Sequence, residues 1–166
     1  GLFAVSGIAY NHESRRRGEN FVTKKIVRSA VEIAQGRRDP LILGNLNSER
    51  DWGYAPEYVE AMWLMLQQGE AADRILATGR SCSVRAFASR AFSAAGIEVS
   101  FEDEGEEEIG VEKSTGRVLI RVSSDFFRKV DTARLVGNPH LAWSSMGWKA
   151  RTVGGDVAEK MVSEEK

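Results

Sequence analysis

Apolar positions recur along the chain at helical spacing in four places and in short extended runs between them. Residues 2–10 open with an apolar, strand-like stretch, and 11–20 are too polar for a core element and read as a loop. Val22, Ile26, Ala30 and Ile33 then fall on one helical face, with Lys24, Lys25, Arg28 and Glu32 on the other and Gly36 as the stop. A short strand is expected at 41–43, followed by a loop over 44–54. Pro56 and Glu57 announce a helix reaching about residue 68, with Val59, Met62, Trp63 and Leu66 as its buried stripe. Residues 75–78 read as a strand. Ser83 caps a helix whose inner face is Val84, Phe87, Ala88, Ala91 and Phe92, ending at Gly96. Strands are expected at 99–101 and 118–122, and the acidic stretch 98–112, which carries no Lys or Arg, is otherwise expected to be a solvated loop. Asn138 and Pro139 start a short helix that stops at Gly147, and Val157, Met161 and Val162 mark a last amphipathic segment. Helices interleaved with strands place the chain in the α/β class.

Composition narrows the chemistry. The 166 residues suffice for a core without crosslinks, and Lys+Arg 23 against Asp+Glu 24 leaves a net charge of -1. No global field draws nucleic acid or an anionic membrane, so neither is expected as a partner. The single cysteine, Cys82, excludes an internal disulfide, and no zinc-like Cys/His spacing occurs, which favours a cytoplasmic setting and no metal. No apolar run approaches the roughly 20 residues needed to span a bilayer. Because the chain enters an apolar stretch at once, it is expected to be the back portion of a longer protein, with an apolar strand edge prone to association.

The candidate chemistry is cationic. Arg15, Arg16 and Arg17 precede a glycine, with Lys24, Lys25 and Arg28 just beyond; guanidinium forks suit phosphate, and an exposed basic surface is the alternative. His12 follows a strand at the end where open α/β sheets bind ligands, or is an ordinary surface residue; His140 is read the same way. Arg50 sits in a loop with Asp51, Trp52 and Tyr54 that suits a phosphate or a sugar, and Arg128 near Asp131 is a further polyphosphate candidate. No glycine-rich phosphate loop, Gly-x-Ser-x-Gly elbow or His-Glu-x-x-His appears, so binding groups are present without a reaction centre. Cys82 reads as a structural thiol.

The ordered motifs Asn11-His12-Glu13-Ser14, Arg16-Arg17-Gly18-Glu19, Phe21-Val22-Thr23, Leu43-Gly44-Asn45-Leu46, Arg50-Asp51-Trp52-Gly53-Tyr54-Ala55 and Tyr58-Val59-Glu60-Ala61-Met62-Trp63-Leu64-Met65-Leu66 closely resemble the GDP-mannose 4,6-dehydratase family. The likeness continues through Ala77-Thr78-Gly79, Ser83-Val84-Arg85, Phe127-Arg128 and Gly147-Trp148. It implies an extended short-chain dehydrogenase/reductase fold: the last part of an NAD(P)-binding Rossmann domain plus the smaller carboxyl-terminal nucleotide-sugar-binding domain. Residues 1–19 and about 50–80 would then pack on the Rossmann domain, and 20–49 with 81–166 would form the substrate domain.

For function, the resemblance implies a lyase that converts GDP-mannose to GDP-4-keto-6-deoxymannose through an internal NADP redox cycle. It implies cofactor contacts at His12 and Arg17, and substrate contacts at Asn11, Val22, Lys25, Arg50, Arg128 and Asp131. It further implies the amino-terminal Rossmann portion as partner and a homodimer or homotetramer. The family's Arg-Pro-x-Glu here reads Arg128-Lys129-Val130-Asp131, and Arg15 replaces a proline. The glycine-rich fingerprint, the Ser/Thr and Glu pair and the Tyr-x-x-x-Lys dyad have no counterpart, so no catalytic residue is assigned and the chain alone is expected to be inactive. A non-catalytic nucleotide-sugar-binding module and a fragment of a related epimerase or reductase are the rival readings.

Overall fold

The computed structural model describes residues 1–37, 39–127 and 134–166. In chain order it contains β1 (Gly7–Ala9), β2 (His12–Glu13), α1 (Val22–Ala34), β3 (Leu41–Leu43), β4 (Glu49–Arg50), β5 (Gly53–Tyr54), α2 (Ala55–Leu66), β6 (Arg74–Leu76) and β7 (Cys82–Ser83). There follow α3 (Val84–Ala95), β8 (Val99–Glu102), β9 (Ile109–Glu112), β10 (Val118–Val122), β11 (Arg134–Leu135), α4 (His140–Met146) and α5 (Gly155–Glu165).

The larger core lies among α1, α3 and α5. Ile26, Val27 and Ala30 of α1 meet Phe87, Ala88, Ala91 and Phe92 of α3 and Val157, Ala158 and Met161 of α5. The sheet β3-β10-β9-β8 adds Leu41, Leu43, Leu119 and Ile120, with β3 parallel to β10 and the other pairs antiparallel. Helix α3 begins and ends as its sequence dictates. The Ser83 side chain accepts the Ala86 N–H at 3.1 Å, and Gly96 closes the helix in the left-handed conformation at φ 93°.

A second, smaller core joins Tyr58, Ala61 and Met65 of α2 to Leu76, Ala142, Trp148 and Ala150. It lies on the parallel pair β1-β6, in which Ile8 is opposite Ile75. Short ladders link the two regions: β2 runs parallel to β5, and β4 lies between β11 and β7.

Several expectations change in three dimensions. The opening strand shrinks to β1, because β6 pairs only with residues 7–9, and Leu2 and Phe3 are exposed. The expected loops at 11–20 and 44–54 contain β2, β4 and β5, dipeptides too short to show a period. On α2 the expected stripe is reversed: Val59, Met62, Trp63 and Leu66 are exposed, while Glu57, Tyr58, Ala61 and Met65 are buried. Glu57 goes inside because its carboxylate accepts the Arg151 N–H at 2.7 Å, the Thr152 N–H at 3.2 Å and the Thr152 hydroxyl at 2.7 Å.

Lys24 also leaves the polar face of α1. Its buried ammonium donates to Glu165 at 2.6 Å and to the Arg15 carbonyl at 2.9 Å. Within the acidic block the strand expected at 99–101 is β8, but the stretch expected as loop adds β9, with which β8 forms a hairpin; Glu108 is only 2% exposed because Arg85 donates to both of its oxygens, at 2.7 and 2.8 Å.

Gly53 sets how closely β5 and α2 approach. A Cβ there would lie 2.4 Å from the fully buried Tyr58 ring. Gly53→Ala is expected to destabilise the fold by about 1–3 kcal/mol, whereas Gly69→Ala, which meets nothing within 4 Å, stays within about 0.5 kcal/mol of the parent. Urea unfolding of the two variants checks the contrast.

Candidate functional site

Residues 49–54 form an extended ribbon on which the site is strung. Side chains alternate along extended backbone, so Arg50 and Trp52 line one hollow while Asp51 between them is fully buried. The Asp51 carboxylate accepts the Thr78 N–H at 2.9 Å, the Gly79 N–H at 3.0 Å and the Gly137 N–H at 3.2 Å. Three backbone donors from two loops thereby satisfy one buried anion. The ribbon is fixed on both sides: the Asp51 N–H donates to the Leu135 carbonyl at 3.1 Å and the Gly53 N–H to the Asn11 carbonyl at 2.9 Å.

The first hollow, about 340 Å³, is lined by Asn20, Val22, Lys25, Ile42, Leu43, Gly44, Asn45, Ser48, Arg50, Trp52, Val84 and Phe126. Its walls come from α1, the end of β3 and β4. Trp52 is buried against Phe87, with ring centroids 4.9 Å apart, and gives an apolar floor. Gly44 lets residue 126 close in, since a Cβ there would lie 2.2 Å from the Phe126 carbonyl oxygen. Lys25 extends over the Phe126 ring, its nitrogen 4.8 Å from the centroid. Burial pushes the Lys25 amine below its ordinary pKa, a penalty on the cation that a bound anion would relieve. Arg50 anchors one guanidinium N–H on the Glu49 carbonyl at 2.7 Å. A cavity with two cations and aromatic walls is suited to a ligand that is anionic in the middle and flat at one end.

The second hollow, about 320 Å³, lies at the carboxyl end of β1 and is lined by Ile8, Ala9, Tyr10, Asn11, His12, Arg17 and Leu135. His12 stacks on Tyr58, centroids 5.2 Å apart and planes 21° off parallel. Its Nδ1 lies 2.8 Å from the Tyr10 carbonyl, which can only accept, so Nδ1 carries the proton and Nε2 is left as the acceptor of the neutral ring. Arg17 lies over the Phe21 ring, 3.6 Å from its centroid, with Nε 3.1 Å from Glu13 Oε2. Glu13 is buried and also accepts the Thr23 hydroxyl at 2.6 Å, which ties this loop to the start of α1 and hence to the first hollow.

Of the residues singled out from sequence, Val22, Lys25 and Arg50 meet in the first hollow, and Asn11, His12 and Arg17 meet in the second. The cations therefore divide between two cavities. Arg15 and Arg16 are exposed. Arg128 and Asp131 lie outside the described residues. His140 borders neither hollow and packs edge-on against Trp143. Sequence reasoning did not single out Asn20, Asn45, Ser48, Phe126, Tyr10 or Leu135 as site residues. For Asn45 the Leu-Gly-Asn-Leu motif was the available signal; nothing local marks Phe126.

A family model described as GDP-mannose 4,6 dehydratase matches residues 1–161. The GDP-mannose 4,6 dehydratase of Dictyostelium discoideum is 42% identical over 164 residues, covering 99% of this chain and 46% of the relative. The Homo sapiens protein of the same name is 44% identical over 161 residues, covering 97% of this chain and 43% of its own length. The chain thus spans about half the length of the curated relatives it matches. Among solved structures, RMD from Pseudomonas aeruginosa complexed with NADPH superposes with a TM-score of 0.75 at 17% identity, over 97% of this chain and 47% of that one. The Thermus thermophilus UDP-glucose 4-epimerase complex with NAD gives 0.66 at 18% identity, over 97% and 46%. At these identities the likeness concerns the α/β fold. Among the described residues no helix is long and apolar enough to cross a membrane.

Two outcomes follow from the site's chemistry. Asp51→Asn replaces a carboxylate that accepts three N–H groups by an amide with a single acceptor oxygen, and urea unfolding should show a loss of at least about 2 kcal/mol. Burial, then the nearby Glu49 charge, pushes the Cys82 thiol up to about 11. At pH 7.5 iodoacetamide should therefore modify native Cys82 roughly a hundredfold more slowly than the unfolded chain's thiol, as followed by mass spectrometry.

Proposed function

The chain belongs to the GDP-mannose 4,6-dehydratase family, and from that premise we propose that it is the nucleotide-sugar-binding portion of an NADP-dependent lyase. The reaction proposed for the full-length enzyme is loss of water from GDP-mannose to give GDP-4-keto-6-deoxymannose. The observation that carries this reading is the meeting of Lys25 and Arg50, from separate elements, in one cavity with Val22, Trp52 and Phe126. Two cationic side chains balance a diphosphate, and the aromatic and aliphatic walls suit the flat or apolar parts attached to it. A bound anion there would offset the desolvation that lowers the Lys25 pKa.

His12 and Arg17 are assigned to the nicotinamide nucleotide. The donor set fits: an imidazole and a guanidinium line a hollow at the carboxyl end of a parallel strand, where α/β sheets receive nucleotides. When bound, the cofactor supplies a hydride acceptor that later returns the hydride. This chain's part is to orient. The Tyr10 carbonyl fixes the His12 ring, and Glu13 with Phe21 fixes Arg17. Asn11 is assigned to the sugar. Its position beside the cofactor residues is where a sugar must lie for hydride to pass between the two.

Arg128 and Asp131 are assigned to the nucleotide end from their motif alone. Residues 1–19 and about 50–80 are assigned to the Rossmann side of the enzyme, and 20–49 with 81–166 to the substrate side. The smaller core additionally recruits Ala142, Trp148 and Ala150 from the latter. The proposal includes a homodimeric or homotetrameric assembly and a cytoplasmic setting, whose reducing conditions suit a chain with one thiol. The sequence contains no Tyr-x-x-x-Lys dyad, and proton transfer is assigned to residues outside these 166.

Titration calorimetry tests the reading. GDP-mannose is expected to bind, UDP-glucose to bind at least tenfold more weakly, and Arg50→Ala to weaken GDP-mannose binding at least tenfold with the unfolding midpoint retained. Equal affinity for Arg50→Ala, or no binding, overturns the substrate assignment. Conversion of GDP-mannose by the isolated chain overturns the assignment of catalysis to other residues.

A further inference from the structure

The last turn of α5 carries charge of the wrong sign for its place. Glu164 and Glu165 stand at the carboxyl end of the helix with no base in that turn, and carboxylates there oppose the helix dipole. They are not needed to dock the helix, because Val157, Ala158, Met161 and Val162 of α5 are already fully buried in the larger core. A local rule broken without local gain points to a tertiary purpose.

Both carboxylates reach toward the segment that carries His12 and Arg17. Glu165 accepts from the Lys24 ammonium at 2.6 Å, and the same ammonium donates to the Arg15 carbonyl at 2.9 Å. Lysine carries three donors on one nitrogen, so a single side chain can join a carboxylate to a backbone oxygen. Glu164 accepts the Tyr54 hydroxyl, and Lys160, one turn earlier on α5, lies over the Tyr54 ring, 4.3 Å from its centroid. Tyr54 is opposite Glu13 in the β2-β5 pair, as Gly53 is opposite His12. One helix end is thus tied to this segment at two points, directly at Arg15 and through the neighbouring strand at Tyr54.

The segment is stiff enough to pass the constraint on. The Arg17 N–H donates to the Ser14 carbonyl at 3.0 Å and the Arg16 N–H to the Ser14 hydroxyl at 3.2 Å, so residues 14–17 form a closed turn. Fixing the Arg15 carbonyl in the middle of that turn fixes where Arg17 leaves it. Arg17 Nε is then buried 3.1 Å from Glu13 Oε2, with the guanidinium over Phe21. The Lys24 side chain is 8% exposed and that of Glu165 22%. For an ion pair this far out of water, desolvation offsets much of the attraction, and the consequence is placement more than stability.

We propose that Lys24 and Glu165, with Glu164 and Tyr54 beside them, are positioning residues for the second hollow: the end of α5 holds the 12–17 segment so that His12 and Arg17 line that cavity together. The effect on cofactor binding rests on the reading of this hollow as the nicotinamide-nucleotide site; the positioning itself does not.

NMR of the 166-residue chain tests the proposal. The Arg17 backbone N–H reports on the turn, and its Nε–H reports on the hollow. Lys24→Met should speed hydrogen exchange of both at least about tenfold and Glu165→Ala at least about threefold, while the α3 amides exchange as in the parent and the melting midpoint by circular dichroism is retained. Lys24→Arg, which keeps donors for the carboxylate and the carbonyl, should restore the parent signals. Should Lys24→Met not fold, Glu165→Ala decides, since it alters a side chain with partial access to water. Unchanged Arg17 exchange in the folded variants overturns the proposal. Loss of protection spread equally over α3 overturns it too and makes the pair a brace for the whole fold. NADP+ should shift the His12 and Arg17 signals of the parent, and Lys24→Met should weaken that binding at least about fivefold. If Arg17 exchange responds as expected and NADP+ moves neither signal, the nucleotide reading fails while the positioning role stands.

Discussion

The site depends on a buried carboxylate. Asp51 is fully removed from solvent, and its charge is tolerable only where backbone N–H groups converge on it. Those of Thr78, Gly79 and Gly137 do so, which brings the end of β6 and the approach to α4 against the 49–54 ribbon. Alternation along the ribbon then commits Arg50 and Trp52 to the opposite side, where they line the first hollow. One interaction thus fixes the loops and aims the candidate ligand-binding residues.

Other buried carboxylates act in the same way. Glu13 ties the His12 and Arg17 loop to α1 through Thr23, Glu57 holds residues 151 and 152 against α2, and Glu108 holds the β8–β9 hairpin to Arg85. Arg85 continues to the Asn47 side chain at 2.7 Å, and its backbone N–H donates to the Leu46 carbonyl. The hairpin is thereby linked to the loop that contributes Asn45 and Ser48 to the first hollow. Because desolvation offsets much of the attraction within a buried ion pair, the consequence of these contacts lies in where they place loops more than in net stability.

The candidate cations divide between two hollows, and the Glu13–Thr23 hydrogen bond ties the loop that borders one to the helix that borders the other. The division of the cations is physically sensible. Arg50 and Lys25 line one cavity and Arg17 the other, and crowding all three into one would set like charges against each other. The exposed flank of α2 and, among the described residues, the edge of β1 that pairs with no strand lie on the smaller core's side, around the elements that end at the second hollow.

The sequence by itself determined the helices, because a 3.6-residue period and local caps are short-range properties: α1, α2 and α3 lie where periodicity, Pro56, Ser83 and Gly96 place them. It also determined family membership, since six ordered motifs before residue 68 constrain one another, and it named Lys25, Arg50, His12 and Arg17 as ligand-seeking groups. Tertiary structure alone decided which flank of α2 is covered, because a helical period identifies apolar stripes without saying what packs on them. It alone formed β2, β4, β5 and β7, whose two residues carry too little pattern to predict and which exist because a partner strand offers hydrogen bonds. It alone put Lys24, Glu57 and Glu108 inside, for a charge is buried only where a counterpart distant in sequence meets it: Glu165 for Lys24, residues 151 and 152 for Glu57, and Arg85 for Glu108.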